Sequence, residues 1–359
     1  MKKLLFTAYS LDVGGIEKAL VTLLNALDKK GYDITLVLEK KQGIFLNEVS
    51  KNVKIIEYSP NESKNILKRK IVNLYKRIKF VLKYKNKFDF SACFATYSLA
   101  GSFISRVASK NSCLWGHADY LILFENNVFQ MKSFFEERKY NKFKHIIFVS
   151  EEGKISFLEV FPEMKEKTTV CNNIIDNKKI ENLAKENVEI KRDENVITFL
   201  NVGRHDERQK RLTRIIEVAN KLKENSFNFR ILLVGDGPDT QKYKKQVEQY
   251  KLEKNIVFLG KKQNPYPYFK ISDCVLLTSE YEGYPVVFLE SFVLNIPIIT
   301  TKVSDYKEVE GKYGYVTTKE IDDIYEKMKL FIENGFEIQQ PFNANEYNKK
   351  IIEKLEKIF

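Results

Sequence analysis

Short apolar segments rich in β-branched residues alternate with stretches of helical periodicity along the chain. In the first half this pattern predicts strands at residues 3–8, 33–38, 53–58, 90–96, 113–116, 145–149 and 169–172. The second half starts the pattern again and predicts strands at residues 196–202, 230–234, 256–259, 274–277 and 297–300. Strands that alternate with helices favour parallel sheets flanked by helices.

A polar, charged segment without β character separates the two halves at residues 176–195. A chain of 359 residues also exceeds what one hydrophobic core usually supports. We predict an α/β fold of two tandem Rossmann-like, doubly wound parallel-sheet domains, residues 1–176 and 177–340, and a C-terminal helix within 341–359 that could pack back across the junction. Ligands bind such sheets at the carboxyl ends of the strands, which places the predicted site in an inter-domain cleft.

The composition, with 43% hydrophobic and 30% charged residues, is typical of a soluble globular protein. No segment approaches the ~18 consecutive apolar residues of a membrane span, and the apolar start of the chain breaks at Thr7. We interpret that start as a first strand and expect a cytoplasmic protein. The cysteines lie in apolar segments and, like the three histidines, lack metal-ligand spacing, which predicts buried free thiols and no metal or cofactor. These cysteines are Cys93, Cys113, Cys171 and Cys274.

The net charge of +12 indicates a polyanionic neighbour, and residues 64–87 concentrate it. This segment has many lysines and arginines and no acid, and leucines and isoleucines recur in it at three and four residues. Such a basic amphipathic helix suits docking on an anionic membrane surface, which would make the protein peripheral on the inner face of the plasma membrane. The alternative is a helix packed on the core with a solvated basic face. We do not expect nucleic-acid binding, because no reader motif accompanies the charge.

Two loops that follow predicted strands have the residues of a phosphate site. Gly14 and Gly15 begin a helical pattern, where amides can approach an anion or a sugar, although a tight turn explains the pair equally well. Arg204 and Lys210 flank a polar loop, where they could clamp a diphosphate or form a solvated basic loop. Gly235 begins another glycine-rich turn that would admit a ligand close to the backbone.

The segment 279–290, S-E-Y-E-G-Y-P-V-V-F-L-E, brackets a Gly-Tyr-Pro turn with three carboxylates. Pro285 is suited to the first turn of a helix, so the amides near Tyr284 and Val286 are expected to meet a phosphate. Helical spacing predicts that Glu290 lies about two turns into the segment, near the face that carries Glu282. Glu280 is interpreted as an acid that only favours the helix start.

Together these segments resemble the retaining glycosyltransferases of the GT-B fold, family 4, also called glycosyl transferases group 1. Glu282 and Glu290 match the E-x7-E signature of that family. Four further motifs occur in the family's order: G-G-x-E at residues 14–17, V-G-R with a following lysine at 202–210, G-D-G-P at 235–238 and F-L-G at 258–260. The match covers most of residues 196–318, and in the first half W-G-H at 115–117 stands where the family has similar residues.

The resemblance implies transfer of a sugar from a nucleotide-diphosphate sugar to an acceptor hydroxyl, with retention of configuration and without a metal. The catalytic residues it implies are His117 at the donor sugar, Arg204 and Lys210 at the diphosphate and Glu282 at the sugar. Arg208 stays open as the alternative to Lys210, because five residues separate Arg204 from Lys210 where the family commonly has four. The implied donor-binding residues are Gly14, Gly15, Gly235, Gly260, Lys261, Gly283, Tyr284, Pro285, Val286 and Glu290, and the last of these would bind the ribose.

A basic helix that docks on a membrane would bring such an enzyme to a polyprenyl-diphosphate-linked acceptor. We therefore expect a function in the synthesis of capsule, lipopolysaccharide or a similar surface glycan. Two alternatives remain: a nucleotide-sugar epimerase on the same fold and a non-catalytic partner subunit. The partner subunit predicts erosion of the charged residues, whereas all four of them, Arg204, Lys210, Glu282 and Glu290, are present.

Overall fold

The chain divides into two units, each built on its own parallel sheet. The first unit comprises Met1–Ile174 and Tyr347–Phe359, and the second comprises Ile175–Glu346. The computed structural model describes residues 1–12 and 14–359. The predicted α/β architecture of two parallel-sheet domains is confirmed.

The sheet of the first unit has seven parallel strands in the order β3-β2-β1-β4-β5-β6-β7. Its strands are β1 Lys3–Ala8, β2 Asp33–Leu38, β3 Lys54–Glu57, β4 Phe90–Cys93, β5 Ser112–Gly116, β6 His145–Phe148 and β7 Thr168–Val170. The helices between them are α1 Gly15–Lys29, α2 Ile66–Tyr84, α3 Leu99–Ala108, α4 Tyr120–Leu123, α5 Val128–Glu137 and α6 Glu151–Val160. The start of the chain is a buried strand, as the sequence predicted.

The sheet of the second unit has six parallel strands in the order β10-β9-β8-β11-β12-β13. Its strands are β8 Ile197–Val202, β9 Phe229–Val234, β10 Ile256–Gly260, β11 Cys274–Leu277, β12 Ile298–Thr301 and β13 Gly314–Thr317. Its helices are α7 Asn177–Leu183, α8 Leu212–Glu224, α9 Thr240–Gln249, α10 Tyr266–Lys270, α11 Val286–Val293 and α12 Ile321–Asn334. The last helix, α13 Ala344–Glu356, begins in the second unit and lies mostly in the first. The apolar faces of α8, α9 and α12 pack with the sheet in one core.

The end of the chain packs on the first unit. Phe359 stacks on Phe90 of β4 with ring centroids 4.7 Å apart, and its carbonyl accepts a hydrogen bond of 3.0 Å from Lys2 Nζ. Glu356 forms an ion pair of 2.9 Å with Lys30, which follows α1. These contacts explain why Tyr347–Phe359 belongs to the first unit although it is far from that unit in sequence.

Helix α2 carries the basic segment of the sequence, and its apolar stripe faces outward. Among its residues only Phe80 is buried, where it packs on Tyr84 and Phe103. The exposed fractions of the stripe are 72% for Leu67, 67% for Ile71, 59% for Leu74, 50% for Ile78 and 81% for Leu82. The alternative of a helix packed on the core with a solvated basic face is thus correct for Phe80, which lies in a core cluster with Leu5 and Ile104, but wrong for the apolar stripe. Across residues 1–12 and 14–359 no helix is both long and apolar enough to cross a bilayer.

Candidate functional site

Three loops meet at the carboxyl edge of the second sheet through backbone contacts between glycines. Gly203 N donates to Val234 O at 3.0 Å, and Gly235 N donates to Gly260 O at 3.0 Å. Gly235 has φ of +150°, and a Cβ built on it would lie 1.8 Å from Gly203 O. Only glycine allows this approach, because a side chain would clash with the carbonyl and strain the backbone. The loops that follow β8, β9 and β10 thus form one edge.

Lys210 and Glu282 form an ion pair at this edge. Lys210 Nζ lies 2.6 Å from Glu282 Oε1, and the two side chains are 16% and 8% exposed. Ser279 Oγ donates to the same carboxylate oxygen at 2.6 Å, and Gln209 Nε2 donates to Oε2 at 3.4 Å. The lysine stem lies against Gly203, where a Cβ would be 3.4 Å from Lys210 Cε. The site therefore presents a fixed ammonium beside a fixed carboxylate.

The two arginines of the β8 loop lie differently from Lys210. The Arg204 side chain is 68% exposed, and its guanidinium lies 3.9 Å from the carboxylate of Asp206. The Arg208 side chain is also exposed. The structure thus brings Lys210 into contact with Glu282. An exposed arginine beside a fixed lysine can still contribute a second cation to a bound diphosphate.

Helix α11 begins at Val286, with Pro285 in the preceding N-cap position and no capping side chain there. Glu282 precedes this helix, so the prediction that Glu282 and Glu290 share a helical face is wrong. Gly283 O accepts a hydrogen bond from Ser304 Oγ, which fixes the turn before the helix. The first-turn amides of α11 point along the helix dipole and form the kind of terminus that binds phosphate.

Glu290 lies inside α11 and is 5% exposed. Tyr266 Oη, itself in a buried residue, donates to Glu290 Oε1 at 3.2 Å. Tyr284, in the turn before the helix, donates to Glu308 Oε2 at 2.8 Å. Past the end of β10, Lys261 is exposed and the ammonium of Lys262 lies 5.7 Å from the ring centroid of Tyr268.

Glu280 has a different environment from the one predicted. No acid lies in the first turn of α11, and Glu280 instead forms ion pairs with Arg214 at 2.7 Å and Lys319 at 2.6 Å. Burial opposes ionisation of this carboxyl, but the hydrogen bonds from Lys319 and Arg214 lower its pKa below the usual range. The interpretation of Glu280 as a helix-start acid is therefore wrong.

The predicted residues of the first unit lie at the carboxyl edge of its own sheet. Gly14 is the N-cap of α1, and Gly15 is the first residue of that helix. A Cβ on Gly14 would lie 2.1 Å from Glu17 Oε2, so the glycine leaves room for this carboxylate. Tyr97 Oη donates to Glu17 Oε1 at 3.3 Å, and burial raises the pKa of Glu17.

His117 follows β5 and packs on the ring of Phe94, which also contacts Trp115. Its ring centroid is 4.4 Å from that of Phe94 and 6.5 Å from that of Trp115. Burial lowers the pKa of His117 to about 3, against a hydrogen bond with the backbone of Phe94. Its Nε2 is buried and has no hydrogen-bond partner among the described residues. The imidazole is therefore neutral at physiological pH, and Nε2 is the ring nitrogen left to accept a hydrogen bond or a proton.

Sequence reasoning missed three residues that hold the site: Gln209, Ser279 and Tyr266. Gln209 directly precedes Lys210 and Ser279 lies three positions before Glu282, so the signal was their position in loops after strands. Nothing in the sequence links Tyr266 to Glu290, because the two meet only when α10 packs beside α11.

Comparisons with known proteins identify the family. The model of the family described as "Glycosyl transferases group 1" matches residues 181–352. The chain is 26% identical over 303 residues to an uncharacterized glycosyltransferase of Methanocaldococcus jannaschii, which covers 78% of this chain and 73% of that protein. Residues 181–352, nearly the whole of the second unit, thus have the group 1 glycosyltransferase pattern. The family resemblance predicted from the sequence is thus confirmed.

Two more similar proteins are informative. The chain is 31% identical over 156 residues to the capsular polysaccharide biosynthesis glycosyltransferase CapH of Staphylococcus aureus, which covers 42% of this chain and 40% of that protein. Its fold is similar to that of Anabaena HepE in complex with UDP-glucose, with a TM-score of 0.78, 18% identity, and coverage of 99% of this chain and 100% of that chain. The fold is therefore GT-B, as predicted.

Proposed function

We propose that this glycosyltransferase moves a sugar from a nucleotide-diphosphate sugar to a hydroxyl of a glycan acceptor, with retention of the anomeric configuration. The observation that carries the proposal is the Lys210–Glu282 pair at the carboxyl edge of the second sheet. A cation, a carboxylate and an uncapped helix start occur together there. These are the groups that bind a diphosphate and a sugar.

The roles proposed for these groups follow from the charges that develop during sugar transfer. Cleavage of the anomeric bond leaves negative charge on the departing diphosphate and oxocarbenium character on the sugar. Lys210 has three N–H donors, so it can keep its bond to Glu282 and still donate to a phosphate oxygen. Arg204 would supply an exposed second cation, and the amides of α11 would supply aligned dipoles. The Glu282 carboxylate is proposed to contact the donor sugar.

The remaining donor contacts are proposed from the family pattern and from position. Glu290, oriented by Tyr266, would accept hydrogen bonds from the ribose hydroxyls. His117 is proposed to contact the donor sugar, and its neutral imidazole suits a hydrogen bond rather than a charge. HepE was solved with UDP-glucose, so UDP-sugars are the first donors to test.

We propose that no metal ion is needed, because Lys210, Arg204 and the start of α11 would together stabilise the leaving diphosphate. Activity that persists after exhaustive EDTA treatment supports this proposal. Loss of activity with EDTA and recovery with Mg²⁺ or Mn²⁺ contradicts it.

The acceptor is proposed to be lipid-linked, in the synthesis of a cell-surface polysaccharide. CapH is named for capsular polysaccharide biosynthesis. The outward apolar stripe of α2, flanked by lysines and arginines, suits an anionic bilayer surface, where the stripe enters the interface and the cations meet lipid phosphates. Peripheral docking on the cytoplasmic leaflet would bring the enzyme to such an acceptor.

A donor panel tests the function. Purified full-length protein is incubated with UDP-glucose, UDP-N-acetylglucosamine, UDP-galactose or GDP-mannose and a polyprenyl-diphosphate-linked sugar, and release of nucleoside diphosphate is measured. We expect release with at least one donor, and NMR of the product should show the anomeric configuration of the donor. Conversion of the donor without an acceptor would indicate an epimerase. Turnover that is unchanged in Lys210→Ala and in Glu282→Ala would contradict the proposed site.

A further inference from the structure

Glu280 is the centre of a cluster of three cations that come from two places in the second unit. Its Oε2 lies 2.7 Å from Arg214 Nη2 and 3.5 Å from Arg211 Nε, and its Oε1 lies 2.6 Å from Lys319 Nζ. Arg211 and Arg214 belong to the start of α8, whereas Lys319 precedes α12. One carboxylate thus links the loop after β11 to two other elements.

Backbone contacts reinforce the link between the β8 loop and the β11 loop. Glu280 N donates to Gln209 O at 2.7 Å, and Thr278 Oγ1 lies 3.3 Å from the carbonyl oxygen of Lys210. Arg214 Nη1 donates to Thr278 O at 2.9 Å. The segment that carries Lys210 is therefore held against the segment that carries Glu282.

The turn between Lys210 and α8 needs this support. Arg211 is the N-cap of α8 and has φ of +50°, in the left-handed region that side-chain-bearing residues adopt at a cost. The guanidinium of Arg211 lies between Glu280 and Glu207, at 3.5 Å and 3.8 Å. Because Arg211 directly follows Lys210, the conformation of this turn sets the direction in which the lysine leaves the backbone.

The ion pairs around Glu280 are better suited to fixing the positions of two loops than to stabilising the fold. The side chains of Glu280 and Arg211 are 26% and 43% exposed. Ion pairs with this much exposure contribute little to folding. Loss of a network of hydrogen bonds and ion pairs that fixes two loops can still lower turnover, because a misplacement of about 1 Å at a reacting group costs on the order of 100-fold in rate.

We propose that Glu280 is a positioning residue for sugar transfer, which anchors the left-handed turn at Arg211 and so holds Lys210 beside Glu282. This inference rests on the proposed function, in which Lys210 binds the donor diphosphate. Glu280 itself does not contact substrate in this scheme. Its ion pairs with Arg211, Arg214 and Lys319 hold the Glu280 carboxylate in place.

The test compares Glu280→Gln, Glu280→Asp, Lys210→Ala and the double variant Lys210→Ala/Glu280→Gln. Turnover is measured with the donor that the wild-type protein uses in the panel, and inorganic pyrophosphate binding is measured by calorimetry. Arg192→Gln is the matched control, because Arg192 also forms an ion pair of 2.9 Å in the second unit, with Asp273 at the start of β11. Circular dichroism melting of each variant checks the fold.

We expect Glu280→Gln to lower kcat/KM by about 10- to 100-fold and to weaken pyrophosphate binding, with a melting temperature close to that of Arg192→Gln. Glu280→Asp keeps the charge and should retain more activity. Arg192→Gln should have wild-type turnover. In the Lys210→Ala background Glu280→Gln should cause no further loss, since its effect passes through Lys210.

Wild-type turnover of Glu280→Gln, or losses that add fully in the double variant, would overturn the inference. A loss of activity in Glu280→Gln that only follows a loss of folded protein would overturn it as well. Normal turnover of Lys210→Ala contradicts the proposed function. Reduced turnover of Lys210→Ala with normal turnover of Glu280→Gln contradicts this inference alone.

Discussion

Lys210 and Glu282, 72 positions apart in the sequence, form an ion pair of 2.6 Å between Nζ and Oε1. The loop after β8 supplies the lysine and the loop after β11 supplies the carboxylate, and these two strands are neighbours in the sheet. The pair is largely buried, so each charge depends on the other for compensation.

We expect Lys210→Ala to be less stable than the double variant Lys210→Ala/Glu282→Gln. The single change leaves a buried carboxylate with only neutral hydrogen-bond donors, at a cost of about 1–3 kcal/mol, and the second change removes that charge. Urea unfolding followed by circular dichroism measures the stability of both variants. A double variant that unfolds at lower urea than the single one would contradict the coupling.

Tyr266→Phe should weaken nucleoside diphosphate binding by about 3- to 10-fold, because Glu290 loses the hydrogen bond that fixes Oε1. Since Glu290 is proposed to bind the ribose, the loss should be smaller for 2′-deoxy-UDP than for UDP. Calorimetry with both ligands measures this difference. Tyr315→Phe is the control, because it removes a hydroxyl that donates to Gly335 O at 3.1 Å in the same unit. Equal losses for both ligands would argue against ribose recognition by Glu290.

Gly235→Ala should destabilise the second unit by about 2–4 kcal/mol, since its Cβ would lie 1.8 Å from Gly203 O at a φ of +150°. Gly311→Ala separates the effect of the steric clash from the effect of the backbone conformation. Gly311 has φ of +71° and nothing within 4 Å of its Cβ position, so only the backbone penalty of about 1 kcal/mol applies. Thermal melting compares them, and equal shifts would show that the close approach is not rigid.

Replacement of the α2 stripe should abolish binding to anionic vesicles without unfolding the protein. Leu67, Ile71 and Leu74 are exposed, so Leu67→Ser/Ile71→Ser/Leu74→Ser removes membrane contacts and leaves the core intact. Lys68→Glu/Lys70→Glu/Lys79→Glu should have the same effect in flotation with phosphatidylglycerol vesicles. Lys242→Glu/Lys245→Glu/Lys254→Glu carries the same change in charge on the second unit and is the control. Flotation that survives both α2 variants would assign docking to another surface.

Protonation of His117 should oppose folding in acid. Burial lowers the pKa of His117 to about 3, so the folded state stays unprotonated while the unfolded chain takes up a proton below about pH 6.5. The free energy of unfolding is thus unaffected by protonation of His117 above pH 6.5, and it decreases as the pH is lowered below that value. The pKa values of His145 and His205 are lowered in the same direction by burial.

The measurement must separate these histidines from Glu17 and Glu39, whose pKa values burial raises and whose effect on stability has the opposite sign. Urea midpoints of the wild-type protein and of His117→Asn are therefore compared at pH 7.5 and pH 5. The drop on acidification should be smaller in His117→Asn. An unchanged drop would show that His117 is protonated in the folded state.

Much of the fold could be predicted from the sequence, because a strand buried on both faces requires an unbroken apolar segment. The predicted strands at residues 3–8, 33–38 and 274–277 have the bounds of β1, β2 and β11. The strand β13 Gly314–Thr317 was missed, since it is short and two of its four residues are only half-buried. The glycine-rich turns were recognisable because close backbone approach leaves glycine as the only suitable residue.

The sequence by itself determined the two parallel-sheet units, the family and the identity of the charged residues at the sheet edge. Only the tertiary structure decided how those charges are paired, since ion pairs such as Lys210–Glu282 and Glu280–Arg214 join loops that are distant in sequence. It also decided that the apolar stripe of α2 faces outward, because helical periodicity reports that a face exists and not what covers it. Periodicity is a local property of the chain, whereas charge pairing and burial depend on which elements become neighbours.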